Sequence, residues 1–502
     1  MDYGFRINSF TDERAYHNTA ILIYLKAAKE ITGLDMRIGN SLNQGYFSYA
    51  NRALSSTEIH RIWNRMEQII SADMPITEKE YPVMEAARKW DAAGCTEIAG
   101  LMKYRDPKET VTIAEIGDYK GCMYCHVLPS AGYINLFELR QYRNGVLLRV
   151  PNALHPDAIP DYRDDDKLYE AFALSNKQRK KSGIRYLADI NERIHDGLTD
   201  DLIRASEWLQ SKQLQEIAET IVKQGKEIVL IAGPSSSGKT TTAKRLCSAI
   251  AEMSVEPLYL GTDDYFVERK DNPLGPDGKP DFEGLGALDL DLFNCQMEDL
   301  LAGRKTDIPE FDFIEGKKVF GKRITKLNKG QILVIEGIHS LNDILTQNIE
   351  RDKKFKIYIS PLTQIGMDRH NRVSTADARL LRRMVRDNQF RGYTAEATLA
   401  GWPSVRAGES VNIFPYSSSA DVVFNSSTVY ETNMLRTFAE PLLEAIPEDS
   451  SQYEAARRIL NFIKYFEKIE NTDAVPDNAI LREFIGPREN GKQEGENHEE
   501  KQ

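Results

Sequence analysis

Residues Gly233-Pro234-Ser235-Ser236-Ser237-Gly238-Lys239-Thr240, followed by Thr241, fit the spacing G-x-x-x-x-G-K-[ST] at every position. That combination binds polyphosphate. Glycines let the backbone curl until successive N–H groups face phosphate oxygens, and the helix N-terminus that follows adds its dipole. Lys239 can reach the outer phosphates, and the Thr240 hydroxyl can ligate Mg²⁺. The flanks supply the required order. The apolar, β-branched run from Ile228 to Ile231 reads as a strand, and Thr240 to Met253 reads as a helix.

Binding phosphate is not yet a reaction, and further residues narrow the chemistry. A second run, Pro257 to Gly261, ends in Thr262-Asp263-Asp264-Tyr265-Phe266. The carboxyl ends of parallel strands line the ligand crevice, where an aspartate can accept the proton of an attacking hydroxyl. Either aspartate can equally cap a turn. A third run, Ile332 to Ile335, leads into Glu336, where a carboxylate on the Mg²⁺ side belongs. Arg379, Arg382, Arg383 and Arg386 share one helix face, and Arg391 follows. Asp377 and Asp387 do not balance that stripe, which favours a lid over transferring phosphoryl oxygens above a solvated face. In Ile308–Phe313, aromatic residues alternate with acids, as suits stacking and hydroxyl binding of a sugar or base, or a core position.

The elements that position these groups can be read from the same sequence. With 502 residues, 41% hydrophobic and 28% charged, the chain is long enough for two or three globular domains. Its formal charge of −11 weighs against a protein that coats nucleic acid. Five cysteines make no disulfide framework and point to a reducing compartment. With no signal-like N-terminus and no apolar run of membrane length, the expectation is a cytoplasmic protein. Short strands at 228–232, 257–261, 332–335, 355–359 and 421–424 alternate with helical stretches. This predicts an α/β fold, a P-loop NTPase-type parallel sheet with helices on both faces, preceded by a smaller α+β domain. The expected boundaries are an α+β module over 1–160, bridging helices over 161–225, the nucleotide-binding domain over 226–430, C-terminal helices over 431–487 and a disordered tail over 488–502. In the first module, helices are predicted over 19–31 and 56–70, the latter capped by Ser56, and Asn144-Gly145 marks a hairpin.

From Gly233 to about Ser426 the chain resembles the uridine kinase/phosphoribulokinase family. The matching segments, in order, are GPSSSGKTTTAKRL, TDDYF, DFEGLGALD, IPEFDF, VIEGIHSL, ARLLRRMVRD and ADVVFNS. The resemblance implies ATP- and Mg²⁺-dependent phosphorylation of a small hydroxyl substrate, typically the 5′-hydroxyl of a nucleoside. It assigns Asp263 as general base, Lys239, Thr240 and Glu336 to phosphate and Mg²⁺, and Arg383, Arg386 and Arg391 to the lid or substrate. It places Phe266, Glu283, Phe311 and Phe313 around ribose and base. It departs where uridine and cytidine kinases read the base. Gly316 stands for a His, Tyr393 for an Arg, and Gly401, beside Trp402, for a Gln.

The segment Arg37–Phe47 and the helix after it resemble the second domain of threonyl-tRNA synthetases. That resemblance implies a metal site of which His17, Cys122 and His126 are retained, while Ile21 replaces the fourth ligand. Cys125 beside His126 would point differently. The module then serves packing, homo-oligomer formation or ligand sensing. Three functions remain open: a nucleoside kinase, a kinase for another alcohol such as a sugar phosphate or pantothenate-like compound, and an ATP-gated regulatory protein whose N-terminal module binds RNA. The acidic charge and Asp263 weigh against the last. A GTPase is disfavoured, since Asp281-Phe282-Glu283-Gly284 mimics a switch motif but no N-K-x-D segment for guanine is present.

Overall fold

The computed structural model describes residues 5–124, 126–274, 278, 280–313, 315–363 and 365–488. The chain divides into two units, each made of three stretches. The first is Met1–Asp200, Thr363–Ala378 and Val429–Glu470. The second is Asp201–Leu362, Arg379–Thr428 and Asn471–Gln502. The predicted tail beyond residue 488 lies outside the described residues, as does Cys125. Among the described residues no helix is long and apolar enough to cross a membrane.

The first unit is α+β with two antiparallel sheets. One has the order β1 (Arg37–Leu42), β2 (Gly45–Tyr49), β7 (Gly145–Arg149), β6 (Glu138–Tyr142); the other joins β3 (Ile76–Pro82), β4 (Thr110–Ile116) and β5 (Tyr119–Cys122). Helix Phe10–Thr32 starts earlier than its apolar pattern suggests, because Ser9 caps it by accepting from the Asp12 N–H at 3.1 Å. Its middle is buried all round, from Ala20 to Leu25, which blurs the helical period that sequence reading relies on. Helix Ser56–Ser71 is capped by Ser55 rather than Ser56, in a capping box with Glu58. The β6–β7 turn is Arg143-Asn144, with Arg143 at φ 53°, so the hairpin sits one residue before Asn144-Gly145. Gly145 instead opens β7, where a Cβ would lie 2.2 Å from the Ser48 carbonyl oxygen.

The second unit holds a five-stranded, all-parallel sheet. Its order is β14 (Val422–Asn425), β13 (Lys354–Ser360), β8 (Ile228–Ala232), β12 (Ile332–Glu336), β9 (Pro257–Gly261). Strands β8, β12 and β13 are buried along their whole length, so both sheet faces are covered. One face packs Ile228, Leu230, Leu333 and Ile335 against Phe293, Met297 and Leu300 of helix Leu290–Leu301. A phosphate loop follows the central strand, and the chain leaves that strand's two sides through β12 and β13. This is a P-loop NTPase-type parallel sheet, and the carboxyl ends of β8, β9 and β12 form one rim of it, the edge at which open parallel sheets hold ligands. An antiparallel hairpin, β10 (Thr306–Asp312) with β11 (Lys317–Thr325), stands beside it.

Candidate active site

The loop after β8 owes its path to close approach. Gly233 passes so near β13 that a Cβ would lie 2.1 Å from the Ile359 carbonyl oxygen. Gly238 takes φ +81° and starts helix Lys239–Ala251, and a Cβ there would meet Ile480 at 2.4 Å. Only glycine fits either position. The Lys239 ammonium donates to the Pro234 carbonyl at 3.3 Å and so folds back over the loop.

The strand ends bring the predicted carboxylates to this loop. Thr240 Oγ1 donates to Glu336 Oε1 at 2.8 Å, and the Tyr259 hydroxyl donates to the same oxygen at 3.0 Å. Burial pushes the Glu336 carboxyl up; Lys239 opposes the shift and Asp263 adds to it. Gly337 permits the approach of β12 to the end of β9, since a Cβ there would collide with the Thr262 side chain. The two aspartates then part. Asp264 accepts from Arg323 at 2.5 Å and caps the hairpin at the Phe311 N–H, 3.5 Å away. Among the described residues the Asp263 carboxylate has no hydrogen-bond or ion-pair partner. Crowding by protein atoms pushes Asp263 up, Asp264 and Glu283 add to this, and Lys239 and Arg391 pull it down. An oxygen-rich set of Thr240, Glu336 and Asp263 suits a hard divalent cation such as Mg²⁺.

The three phenylalanines do meet. Ring centroids are 5.7 Å apart for Phe266–Phe311, 6.3 Å for Phe266–Phe313 and 5.1 Å for Phe311–Phe313, all edge-on. Phe313 remains 60% exposed, so this is an open aromatic wall and not a core. Glu283 lies against Gly408, where a Cβ would come within 3.2 Å, and burial pushes its carboxyl up.

The arginine stripe is not the uniform lid that its spacing predicts. Arg379 is buried and forms a two-pronged pair with Glu409, whose Oε1 also accepts from the Ser235 N–H at 3.0 Å. Arg382 is buried too, donating to the Ser236 carbonyl at 3.2 Å and the Ser426 carbonyl at 2.9 Å. These two guanidiniums shape the loop from behind. Arg383 donates to Ser235 Oγ at 2.8 Å. Arg386 is paired with Asp387, at 2.8 Å, and the same carboxylate draws Arg383 to 3.2 Å and Arg391 to 3.6 Å. Asp387 thus balances three arginines, more than its sequence position suggested.

Three residues near the site escaped the sequence reading. Glu483 accepts from Thr241 Oγ1 at 2.7 Å, 242 positions away, a distance no local pattern reveals. Arg269 donates to the Phe313 carbonyl at 2.6 Å and packs against Gly316, whose φ of +68° leaves no side chain to read a base. His339, in the VIEGIHSL segment, is buried and held neutral by that burial, beside the main chain of Glu283 and Gly284.

The expected metal residues of the N-terminal unit do not assemble. His17 Nδ1 contacts the Tyr46 hydroxyl and Nε2 the Pro151 carbonyl, both at 2.7 Å, so neither nitrogen is left for a metal. Cys122 is buried with its thiol pushed up, and His126 is exposed beside Glu78 at 3.2 Å. Among the described residues no group of three or more His, Cys, Asp or Glu side chains gathers to hold a metal ion.

Residues 228–433 match the model of the Phosphoribulokinase / Uridine kinase family. The match takes in the phosphate loop and the whole five-stranded parallel sheet. A uridine kinase of Deinococcus deserti is 26% identical over 172 residues, covering 34% of this chain and 73% of that protein. One from Saccharomyces cerevisiae is 27% identical over 266 residues, covering 51% of this chain and 43% of that protein. A solved structure, described as a possible uridine kinase from Bacillus stearothermophilus, is 18% identical, covers 42% of this chain and 97% of that chain, and has a TM-score of 0.29. Within the matched residues, Lys239, Thr240, Asp263 and Glu336 all belong to the β8–β9–β12 end of the sheet.

Proposed function

We propose that the protein is an ATP- and Mg²⁺-dependent kinase that phosphorylates the 5′-hydroxyl of a nucleoside of the uridine or cytidine kind. The observation that carries this reading is the division of labour between Asp263 and Asp264. One is tied to Arg323; the other has no partner among the described residues and feels the charges of Lys239, Glu283 and Arg391. The loop N–H groups and Lys239 bind and orient the ATP phosphates. Thr240 and Glu336 would hold Mg²⁺, which when bound neutralises charge on the phosphate oxygens. Phe266, Phe311 and Phe313 grip the flat base, and Asp263 accepts the proton of the acceptor hydroxyl. That oxygen forms a bond to the γ-phosphorus as the bond to the β–γ bridging oxygen breaks, releasing ADP. Arg383, held on Ser235, sits where it can meet charge on the transferring group.

A kinase for another small alcohol is the second reading, favoured by one observation: Gly316 offers no polar base reader in its turn. The test is ADP release from ATP and Mg²⁺ with a panel of nucleosides, sugar phosphates and pantothenate, run beside Asp263→Asn. Turnover stimulated by one nucleoside and lost in the variant is the expected result. Stimulation by non-nucleosides alone moves the acceptor to the second reading, and silence across the panel overturns both.

A further inference from the structure

The first unit contains a cavity of about 350 Å³ in which the chemistry is unlike the rest of this acidic chain. Five cations line it: Arg37, Lys177, Arg185, Arg369 and Arg372. The acid among its lining residues, Asp368, is already spent. It accepts from the Tyr124 hydroxyl at 2.6 Å and from the His370 and Asn371 N–H groups at 2.7 and 2.8 Å. Arg369 is paired with Glu97 at 2.5 Å.

Arg372 is different. Among the described residues its guanidinium reaches two carbonyls, those of Gly39 at 3.4 Å and Val373 at 3.5 Å, both longer than a good hydrogen bond. No carboxylate pairs with it among the described residues. Its charged neighbours Arg14 and Asp377 pair with each other at 2.9 Å. Burial pushes Arg372 down to about 10, the direction of a cation held without compensation. A guanidinium desolvated in this way is costly unless an anion completes it.

The frame is rigid. The Ile38 N–H donates to the Arg369 carbonyl at 2.8 Å, the Leu187 N–H to the Gly366 carbonyl at 3.0 Å, and Asn40 Nδ2 to the Thr363 carbonyl at 3.0 Å. Rings line the same cavity, Tyr49 as the cross-strand neighbour of Arg37. Phe47 and Tyr49 stack at 5.9 Å with 24° between planes, and Tyr169 meets Phe47 edge-on at 6.1 Å. Asn144 adds an amide, which carries donor and acceptor side by side. Guanidiniums match phosphate, rings match a flat heterocycle, and an amide matches its edge.

The geometry points to a second ligand site, separate from the phosphate loop, that binds a mononucleotide with its phosphate on Arg372 and Arg37 and its base against Phe47 and Tyr49. The site does not depend on the kinase reading. The test is isothermal titration of the full chain carrying Lys239→Ala with AMP and UMP, beside the same chain also carrying Arg372→Gln or Arg37→Ala. One nucleotide should bind, weakened at least about tenfold by Arg372→Gln and several-fold by Arg37→Ala, with inorganic phosphate and ribose 5-phosphate binding more weakly. Arg37 is exposed, so its variant keeps the test decisive if Arg372→Gln does not fold. Affinity unchanged in both variants, no binding of either nucleotide, or inorganic phosphate binding equally well would overturn the proposal. So would binding of an RNA 3′ end to the exclusion of AMP and UMP.

Discussion

Thr240 Oγ1 donates to Glu336 Oε1 across 2.8 Å, joining the first turn of the phosphate-loop helix to the end of the neighbouring strand. The Tyr259 hydroxyl completes the triangle at 3.0 Å. The corner proposed to hold Mg²⁺ is thus fixed by hydrogen bonds that a neutral isostere can keep. Glu336→Gln should therefore preserve the fold and ATP binding, raise the Mg²⁺ concentration needed for half-maximal rate, and lower kcat by about 10²–10³. Titration of rate against Mg²⁺ checks this, and an unchanged Mg²⁺ requirement removes Glu336 from the metal side.

Asp263 and Asp264 are adjacent in sequence, and Asp264 alone of the two is paired with Arg323. Asp263→Asn should cut kcat by about 10²–10⁴, the range for lost general-base help, with KM for ATP nearly unchanged. Asp264→Asn frees Arg323 and loosens the β10–β11 hairpin, so its main effect should be a several-fold rise in acceptor KM. Steady-state kinetics of the pair separates the two, and equal losses in kcat would refute the division.

The raised carboxyl of Asp263 has two consequences with pH. The acid limb of kcat/KM should fall above the ordinary aspartate range of about 4, because the base must be ionised to act. Ionised Asp263 also costs stability. A carboxyl whose pKa is higher folded than unfolded loses stability as pH rises from the unfolded value through the folded one. Asp263→Asn should then melt higher than the wild type at pH 7, with the gap closing below pH about 4. A wild type that melts higher at pH 7 would mean the opposite shift.

Arg379 and Glu409 form a pair with both side chains almost wholly buried, over the ring of Trp402 at 5.2 Å. Arg379→Ala strands Glu409 and should destabilise the second unit by about 3–5 kcal/mol in urea unfolding. Because Glu409 also accepts from the Ser235 N–H, ATP affinity should fall with it. A double variant with Glu409→Gln should recover part of the loss.

The sheet was legible in the sequence because β8 is an unbroken apolar run and β12 is apolar up to Glu336, both buried along their length, while the apolar core of β13, Ile357 to Ile359, stands out despite the buried Lys354 and Lys356. Strands β8 and β9 begin and end at the predicted residues. The β10–β11 hairpin was not legible as strands. Pro309 lies at a register shift between Ile308 and Glu310, and β11 carries three lysines and an arginine. The site was legible where its groups follow strands or fit a loop spacing: Lys239, Thr240, Asp263 and Glu336. It was illegible where a partner comes from far along the chain. Arg323 decides between Asp263 and Asp264 from 59 positions away, and Glu409 neutralises Arg379 from 30. The metal reading of His17 failed because Tyr46 and Pro151 occupy the ring, which spacing cannot show.

Asp377 joins three distant stretches of the first unit: Arg14 at 2.9 Å from the start of the chain and Arg458 at 3.0 Å from near its end. That knot has a consequence for synthesis. A ribosome that has delivered residues 1–200 has not yet delivered 363–378 or 429–470, so the unit that emerges first is among the last to close. Its apolar faces wait while the parallel sheet is made, and a nascent chain stalled before residue 429 leaves both halves of the gene product exposed to chaperones and proteases.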